Sequence, residues 1–330
     1  MINQRYIGKT IKGLYKYDKN SFYPWVMSTG KMPMGKCITT KKRPLNIEDA
    51  VIHIKWTAKS KFEGLAPYED KEFICDDMWI WGCELLELMN WYDTLAIEYI
   101  EYMVWPYNEV DKQMIRYITN AYQGKQNSTG IQRELHKLKM NSIYGKFGEN
   151  CYKHITKEID GVIQESIDRS FILGNKTPAR NLAVSAKITA LARAELLRSI
   201  RVATNERPDL YYVYGDTDSM ILTIPYDKVG KNLGEFKFEG RFQKSRVLGK
   251  KCYMLYDGER YECHACGVNR DVLENEMNTK TWEEASTRFN YDEEFMCPTF
   301  VNGTIQKRTR VLSHGYEKHT FDNIYHVYEE

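Results

Sequence analysis

Tyr211 to Ile224 read Tyr-Tyr-Val-Tyr-Gly-Asp-Thr-Asp-Ser-Met-Ile-Leu-Thr-Ile, and the rest of the chain is organised around this stretch. Two runs rich in aromatic and β-branched residues flank a polar segment, which predicts two antiparallel strands joined by a tight turn. Asp216 and Asp218 stand at that turn, so in extended backbone their carboxylates would leave the same face. Two carboxylates this close repel each other unless a positive charge lies between them, which favours a divalent cation.

A capping turn or a calcium-binding loop would also place two aspartates this close together. In an Asx-type turn the carboxylates only cap backbone amides, and for an isolated Asp-x-Asp that arrangement is the commoner one. A calcium-binding loop is excluded more clearly, because it requires Gly where Ile221 stands and oxygen ligands where this sequence is apolar. The choice between a catalytic metal site and a capping turn therefore depends on residues elsewhere in the chain.

A second acidic strand end lies far upstream, in Tyr15 to Pro24, which read Tyr-Lys-Tyr-Asp-Lys-Asn-Ser-Phe-Tyr-Pro. Asp18 follows alternating aromatic residues there and is the candidate for a third carboxylate. Two carboxylate-bearing strand ends and a Lys-rich helix are typical of two-metal phosphoryl or nucleotidyl transfer. In that chemistry the metal ions activate one oxygen and stabilise the leaving one.

The Lys-rich helix is predicted over residues 125–146, with Ser128 and Thr129 as N-cap candidates and no Pro to interrupt Ile131 to Tyr144. Arg133, Lys137 and Asn141 are spaced at i, i+4 and i+8, so they share one helix face. Such a stripe suits a triphosphate. Taken alone, the stripe is more often an ordinary solvated basic face, and the Asn-Ser-x-Tyr-Gly ending shifts the balance towards nucleotide binding.

Four motifs, in order along the chain, resemble those of family B DNA polymerases, specifically the protein-primed phage branch. Residues Asp18 to Pro24, Lys137 to Gly145 and Tyr214 to Ser219 are similar to motifs A, B and C, and Lys251-Cys252-Tyr253 is similar to the Lys-x-Tyr motif. The resemblance spans essentially the whole chain. It implies an α+β right-hand polymerase fold, with palm, fingers and thumb, and two insertions in the palm and fingers region.

The resemblance also implies a division of the chain. Residues 1–28 correspond to the first part of the palm, with motif A, and residues 29–122 to an insertion resembling terminal-protein region 1. Composition alone predicts an α/β subdomain in that insertion, with strands at Val51–Trp56 and Ala96–Trp105. The remaining segments are the fingers with motif B (123–147), an insertion resembling terminal-protein region 2 and expected to be a β-hairpin (148–178), the second part of the palm with motif C and Lys-x-Tyr (179–264), and the thumb (265–330).

Site roles follow from the same resemblance. Asp18, Asp216 and Asp218 are the expected catalytic residues; Asp18, Asp218 and the backbone carbonyl of Lys19 are expected to bind two Mg²⁺ ions, with Mn²⁺ as a substitute. Tyr23 stands at the position of the family's sugar-discriminating tyrosine, which blocks a 2′-hydroxyl. The expected nucleotide-binding residues are Tyr23, Lys125, Arg133, Lys137, Asn141 and Tyr144. The expected DNA-binding residues are Thr189, Arg193, Lys251 and Tyr253, whereas His264 replaces a primer-contacting lysine of the relatives.

Local patterns place the DNA-binding candidates on regular elements. Ala183–Val202, rich in Ala and Leu, predicts a helix, and residues 275–289 show an acidic helical pattern. Arg246–Tyr256 predicts a strand on which Lys251 and Tyr253 share a face. Seven cations in residues 231–251 face only Glu235 and Glu239, and this basic field suits either a phosphate backbone or a solvated strand face. The cations are Lys231, Lys237, Arg241, Lys244, Arg246, Lys250 and Lys251.

Whole-chain properties set broader limits. The 330 residues allow two or three domains, and the net charge of +2, from 47 basic and 45 acidic residues, does not by itself indicate nucleic-acid binding. No signal-peptide core or membrane-helix stretch is seen in the sequence, and the eight Cys are spaced irregularly, so we expect a cytoplasmic protein with reduced thiols. Cys263 and Cys266 lack a second ligand pair at the spacing of a zinc finger.

The sequence thus predicts a DNA-directed DNA polymerase that uses template and primer DNA and dNTPs. It leaves open a priming protein, whose hydroxyl would replace that of the primer, and a separate exonuclease subunit. The 17 residues before Asp18 contain no Asp or Glu, so we expect polymerisation without a proofreading exonuclease of its own. Two alternatives remain: a nucleic-acid-binding module with a disused polymerase fold, and a template-independent nucleotidyltransferase.

Overall fold

The computed structural model describes residues 1–148, 153–159, 162–168, 181–301 and 304–312. The strands are β1 (Thr10–Lys19), β2 (Met32–Met34), β3 (Ile38–Thr40), β4 (Val51–Ser60), β5 (Phe73–Trp81), β6 (Tyr92–Val104), β7 (Tyr107–Glu109), β8 (Lys153–Ile159), β9 (Val162–Asp168), β10 (Tyr212–Tyr214), β11 (Ser219–Leu222), β12 (Phe236–Gly249), β13 (Cys252–Tyr256), β14 (Tyr261–His264), β15 (Glu294–Val301) and β16 (Thr304–Val311). The α-helices are α1 (Phe22–Thr29), α2 (Gly82–Trp91), α3 (Lys112–Gln126), α4 (Gly130–Phe147), α5 (Leu182–Ala203), α6 (Pro208–Tyr211), α7 (Arg270–Met277) and α8 (Trp282–Arg288).

A six-stranded sheet, here called the main sheet, carries the acidic motifs. Its order is β10-β11-β1-β12-β13-β14, and every neighbouring pair is antiparallel. The predicted hairpin of residues 211–224 is confirmed, because β10 pairs with β11. α5 packs on this sheet, and its Leu197 and Ile200 share a buried cluster with Tyr17 of β1 and Tyr212 of β10. The sequence-distant strands β1 and β11 are thereby neighbours, which brings their acidic ends together.

The segment 29–122 forms a second sheet, of order β3-β6-β4-β5. The strands predicted from Val51 and from Ala96 are confirmed as parts of β4 and β6. The α/β prediction for this segment is wrong in detail, because all neighbouring strands are antiparallel. Ile54 and Trp56 of β4 lie in the same buried cluster as Leu197 of α5, so the segment shares its core with the main sheet.

Several predicted elements are interrupted. The pattern predicted over 125–146 is two helices, α3 and α4, because Asn127 ends the first and Gly130 has a left-handed backbone, with φ of 55°. The N-cap candidate Thr129 is confirmed at the start of α4. The strand predicted over 246–256 is interrupted by a turn at which Lys251 has φ of 55°. The acidic pattern at 275–289 covers the end of α7 and all of α8, and a capping box between Thr281 and Glu284 starts α8. The helix predicted at Ala183–Val202 is confirmed as α5.

In the segment 148–178, β8 and β9 form an antiparallel hairpin, as predicted. The rest of that segment between residues 149 and 178, and the expected thumb from residue 313 onwards, lie outside the described residues. Where the expected thumb is described, α7, α8 and β15 contribute to one buried cluster that includes Phe289 and Phe295, and β15 pairs with β16. Among the described helices, none combines the length and the apolar character needed to cross a membrane.

Candidate active site

The turn between β10 and β11 presents Asp216 and Asp218. Thr217 between them has a left-handed backbone, with φ of 55°, so the prediction that both aspartates extend from one strand face is wrong. The amide of Asp218 donates to the carbonyl of Asp216 at 2.6 Å, which tightens the turn. A Cβ at Gly215 would lie 2.2 Å from the carbonyl oxygen of Ser219, so this close approach requires glycine.

Asp18 lies beside this turn at the end of β1. It is opposite Ser219 in the β1–β11 register, and the amide of Lys19 donates to the carbonyl of Asp218 at 2.8 Å. Burial and the neighbouring carboxylates of Asp18 and Asp216 raise the pKa of Asp218 to about 7. Burial and the charge of Glu239 raise the pKa of Asp18 above its usual range. Two half-buried carboxyl groups, one of which raises the pKa of the other, form a place where a cation would be stabilising.

The donor set fits a hard divalent cation only in part. Carboxylate oxygens are the ligands that Mg²⁺ prefers, and Asp18 with Asp218 supplies them. Asp216 differs, because its Oδ2 lies 3.6 Å from Nζ of Lys251, which partly balances its charge. Across the described ranges, no three His, Cys, Asp or Glu side chains are already arranged around one metal position. Asp18 and Asp218 are therefore the residues suited to hold the ion, with Asp216 to one side.

The three aspartates border a cleft of about 420 Å³. Lys251 and Tyr253 both line it, although they do not share a strand face as predicted, since Lys251 is in the turn before β13. Tyr253 is only 8% exposed, and its ring is stacked on His264 at 4.7 Å. The two candidates for primer contact thus differ: Lys251 has an accessible charge, whereas Tyr253 is a buried residue that lines the cleft.

One ionic group at this cleft was not predicted. Lys16 forms an ion pair with Glu262 of β14, and Nε2 of His264 lies 3.4 Å from the same carboxylate. Burial acts to raise the pKa of Glu262, but hydrogen bonds from His264 and Lys16 outweigh it and hold the pKa at about 2. Lys16 is two residues from Asp18 on the same strand, so strand periodicity was a usable signal for it. No local sequence pattern indicated Glu262, because its position beside Lys16 depends on the register of the sheet.

Tyr23 and Tyr144 come together on the other side of the turn. Tyr23, on α1, is stacked on Tyr144 of α4 with ring centroids 4.8 Å apart and planes at 10°. Burial and the neighbouring Tyr144 raise the pKa of Tyr23, whose surroundings also include Asp218 and Arg193. The two aromatic residues therefore form one stack of rings near the acidic turn.

The expected phosphate-binding cations also cluster. Lys125 of α3 donates to Oγ of Ser21 at 3.1 Å, and burial together with the charges of Arg133 and Lys137 lowers its pKa. Arg133 and Lys137 are about half exposed, and both lie near Glu134, at 3.5 and 3.7 Å. Exposed pairs of this kind contribute little, so both cations are available to an anion. Asn141 is exposed one turn further along α4.

Two DNA-contact candidates lie on α5, in a cleft of about 930 Å³ between this helix, the second sheet and the acidic turn. Thr189 donates its hydroxyl to the carbonyl of Ala186 at 2.8 Å. Arg193 instead forms a bidentate ion pair with Glu84 of α2, in which Nη2 lies 2.7 Å from Oε2. This contact joins α5 to the segment 29–122, and the Arg193 side chain stays 56% exposed beside it, so its expected DNA contact stays a prediction.

The basic field of residues 231–251 is partly neutralised by acids from elsewhere in the chain. Lys244 lies 3.6 Å from Glu283, Lys250 pairs with Asp70, and Lys251 faces Asp216. These partners come from distant segments. Counting only the acids within residues 231–251 therefore overstated the net positive charge of the basic field.

The fold has a close counterpart among solved structures. The structure of phi29 DNA polymerase in a ternary complex with primer-template DNA and incoming nucleotides superimposes with a TM-score of 0.74, over 95% of this chain and 60% of that one, at 21% sequence identity. The chain therefore has the α+β right-hand polymerase fold that the motifs implied.

A family model for type B DNA polymerases, organellar and viral, matches residues 1–188. That match covers more than half of the chain, and the chain belongs to this family. The DNA polymerase of Bacillus phage PZA is 27% identical over 281 aligned residues, which cover 77% of this chain and 47% of that protein. A probable DNA polymerase of Podospora anserina is 24% identical over 300, covering 76% of this chain and 25% of that protein. The chain thus spans between a quarter and a half of the length of these relatives.

Proposed function

We propose that this chain is a DNA-directed DNA polymerase that adds dNTPs to a primer 3′-hydroxyl under the direction of a template. The observation that carries the proposal is the meeting of Asp18 and Asp218 at neighbouring strand ends, with the pKa of Asp218 raised to about 7. Further support comes from the family and from phi29 DNA polymerase, whose structure with primer-template DNA and nucleotides has the same fold.

In this proposal Asp18, Asp218 and the carbonyl of Lys19 hold two divalent cations, Mg²⁺ or Mn²⁺, and Asp216 supports them. Bound ions of this kind stabilise the charge that develops on the attacking and leaving oxygens. The chain's own contribution is positional: Lys125, Arg133 and Lys137 receive the triphosphate, and Tyr23 with Tyr144 packs against the nucleotide sugar and base. Asn141 adds an amide contact from the same face of α4.

DNA contacts are proposed at Thr189, Lys251 and Tyr253, which line the two clefts beside the acidic turn. Arg193 is also proposed as a DNA contact, because its side chain stays 56% exposed while it is paired with Glu84. A priming protein is a further proposed partner, supported by the similarity to protein-primed phage enzymes. We also propose that these 330 residues polymerise without proofreading. The test is a labelled primer with a mismatched 3′ end, incubated without dNTPs; shortening of this primer would contradict the proposal.

The proposal is tested by single-nucleotide addition. A labelled primer is annealed in turn to four templates that differ only in the templating base, and each dNTP is supplied separately with Mg²⁺. We expect efficient addition of the complementary nucleotide only, and none with single-stranded primer. Addition that ignores the template would identify a template-independent nucleotidyltransferase, and DNA binding without any addition would identify a binding module.

A further inference from the structure

The side chain of Lys19 lies inside the protein, although it directly follows Asp18. It is only 4% exposed. Three aromatic rings surround its ammonium group, with Nζ at 4.9, 4.6 and 5.0 Å from the ring centroids of Phe22, Trp25 and Phe236. Because a buried ammonium group without a carboxylate partner is costly even among aromatic rings, this position requires an acid.

That acid is Glu195 on α5. Nζ of Lys19 donates to Oε1 of Glu195 at 2.8 Å and to Oγ of Ser199 at 3.3 Å. Glu195 also lies 3.6 Å from Nη1 of Arg198, so the carboxylate keeps a partner if Lys19 is replaced. The ion pair joins the end of β1 to a helix 176 residues further along the chain.

The backbone of Lys19 connects the same point to the acidic turn. Its amide donates to the carbonyl of Asp218 at 2.8 Å, and the preceding residue, Asp18, lies opposite Ser219. Lys19 therefore contacts both α5 and the turn that carries Asp218. Because one residue makes both contacts, loss of the side-chain anchor would loosen the backbone that places Asp18 beside Asp218.

We propose that Lys19 is a positioning residue: its ion pair with Glu195 fixes the end of β1, and with it the separation of the Asp18 and Asp218 carboxylates. This inference rests on the proposed polymerase function and gives the Lys19 side chain a role separate from that of its backbone carbonyl. The phosphate-binding candidates Lys125, Arg133 and Lys137 lie on α3 and α4, which the contacts of the Lys19 side chain given above do not include. The pair therefore acts on the rate of the chemical step more than on affinity for the triphosphate.

The kinetic test compares Lys19→Met, Glu195→Gln and the double variant, with Lys12→Met, an exposed lysine of the same strand, as the control. Lys19→Met is expected to lower kcat about tenfold or more while KM for dNTP and the affinity for primed DNA change less than about twofold. The double variant should be no slower than Lys19→Met, because each of the two substitutions already removes the same ion pair. Losses that multiply, or a KM that rises as much as kcat falls, would overturn the proposal.

A second measurement does not depend on activity. Amide hydrogen exchange is followed in peptides covering residues 14–22 and 212–222, without DNA or nucleotide. Exchange should be faster in Lys19→Met than in Lys12→Met, since the anchor of β1 to α5 is lost. Equal exchange in the two variants would overturn the positioning role. If the wild-type protein fails to extend any primer, the proposed function fails, and the exchange result still decides the role of Lys19.

Discussion

Asp218 shows how a single residue sets the electrostatics of this site. Its pKa rises from 3.8 to about 7 on folding, because of burial and the nearby Asp18 and Asp216. The folded protein therefore binds more protons than the unfolded chain between these values, and its stability falls as pH rises through this window. A bound cation would offset this loss of stability, since it favours the charged form of the Asp218 carboxyl group.

The first prediction follows from that sign. Without divalent ions, Asp218→Asn should raise the free energy of unfolding at pH 8 by about 1–2 kcal/mol. The effect should be small near pH 4, because there the wild-type carboxyl is protonated in the folded state and close to half protonated in the unfolded state. Urea unfolding at the two pH values measures this. Asp227→Asn, at an exposed position, is the control. Equal stabilisation at both pH values would show that the Asp218 carboxylate is not destabilising.

Lys137 is a second residue whose role can be isolated. Lys137→Ala should raise KM for dNTP about 10- to 150-fold, since one charge-assisted phosphate contact contributes about 1.5–3 kcal/mol. Lys139→Ala, two residues further along the same exposed helix, is the matched control and should leave KM unchanged. Equal KM values for Lys137→Ala and the wild type would assign Lys137 to a solvated helix face.

Tyr23 is expected to select the sugar. Its ring is held by stacking on Tyr144, so its position near the acidic turn is fixed before any nucleotide binds. Tyr23→Val should increase ribonucleotide incorporation relative to dNTP incorporation, whereas Tyr23→Phe, which keeps the ring, should not. The measurement is the ratio of kcat/KM for rNTP and dNTP. Unchanged rejection by Tyr23→Val would remove the steric role.

At the level of elements, α5 connects the two sheets. Lys187 pairs with Asp49, Arg193 with Glu84, and Arg201 with Glu87. Each acid belongs to the segment 29–122. Helix α5 thus holds that segment through charges as well as through the shared apolar core.

The ion pair between Arg193 and Glu84 gives the prediction for this helix. Glu84→Gln should destabilise the protein by about 1–3 kcal/mol, because Glu84 is largely buried and receives two guanidinium hydrogen bonds. Combining it with Arg193→Met should cost less than the sum of the single changes. Glu98→Gln, which affects an exposed pair with Lys55 at 3.7 Å, is the control. Strictly additive losses in urea unfolding would show that the pair does not act as a unit.

Across the whole molecule, local patterns predicted what depends on local sequence. The hairpin of 211–224 and helix α5 follow from short-range periodicity, and the motifs identified the family. The contacts that tie the site together could not be predicted from such patterns. Arg193–Glu84, Lys19–Glu195 and Lys16–Glu262 join residues 109, 176 and 246 positions apart, and these distances are closed only by strand register and helix packing.

The same limit accounts for the predictions that were wrong. Thr217 and Lys251 have left-handed backbone, which is uncommon for residues other than glycine and could not be predicted from their type. The predictions that Asp216 and Asp218 share a strand face, and that Lys251 and Tyr253 do, were therefore wrong. The acids that neutralise Lys244 and Lys250 come from other segments and were absent from the local charge count.

Catalysis at the acidic turn is tested most sharply by primer extension with the wild type and with Asp218→Asn, with affinity for primed DNA measured in parallel. The wild type should add the templated nucleotide with Mg²⁺. Asp218→Asn should be slower by about a hundredfold or more while binding DNA with similar affinity, because the carboxylate serves the chemical step and the clefts do not depend on it. Extension by Asp218→Asn at about a tenth of the wild-type rate or faster would contradict the assignment of this turn as the catalytic centre.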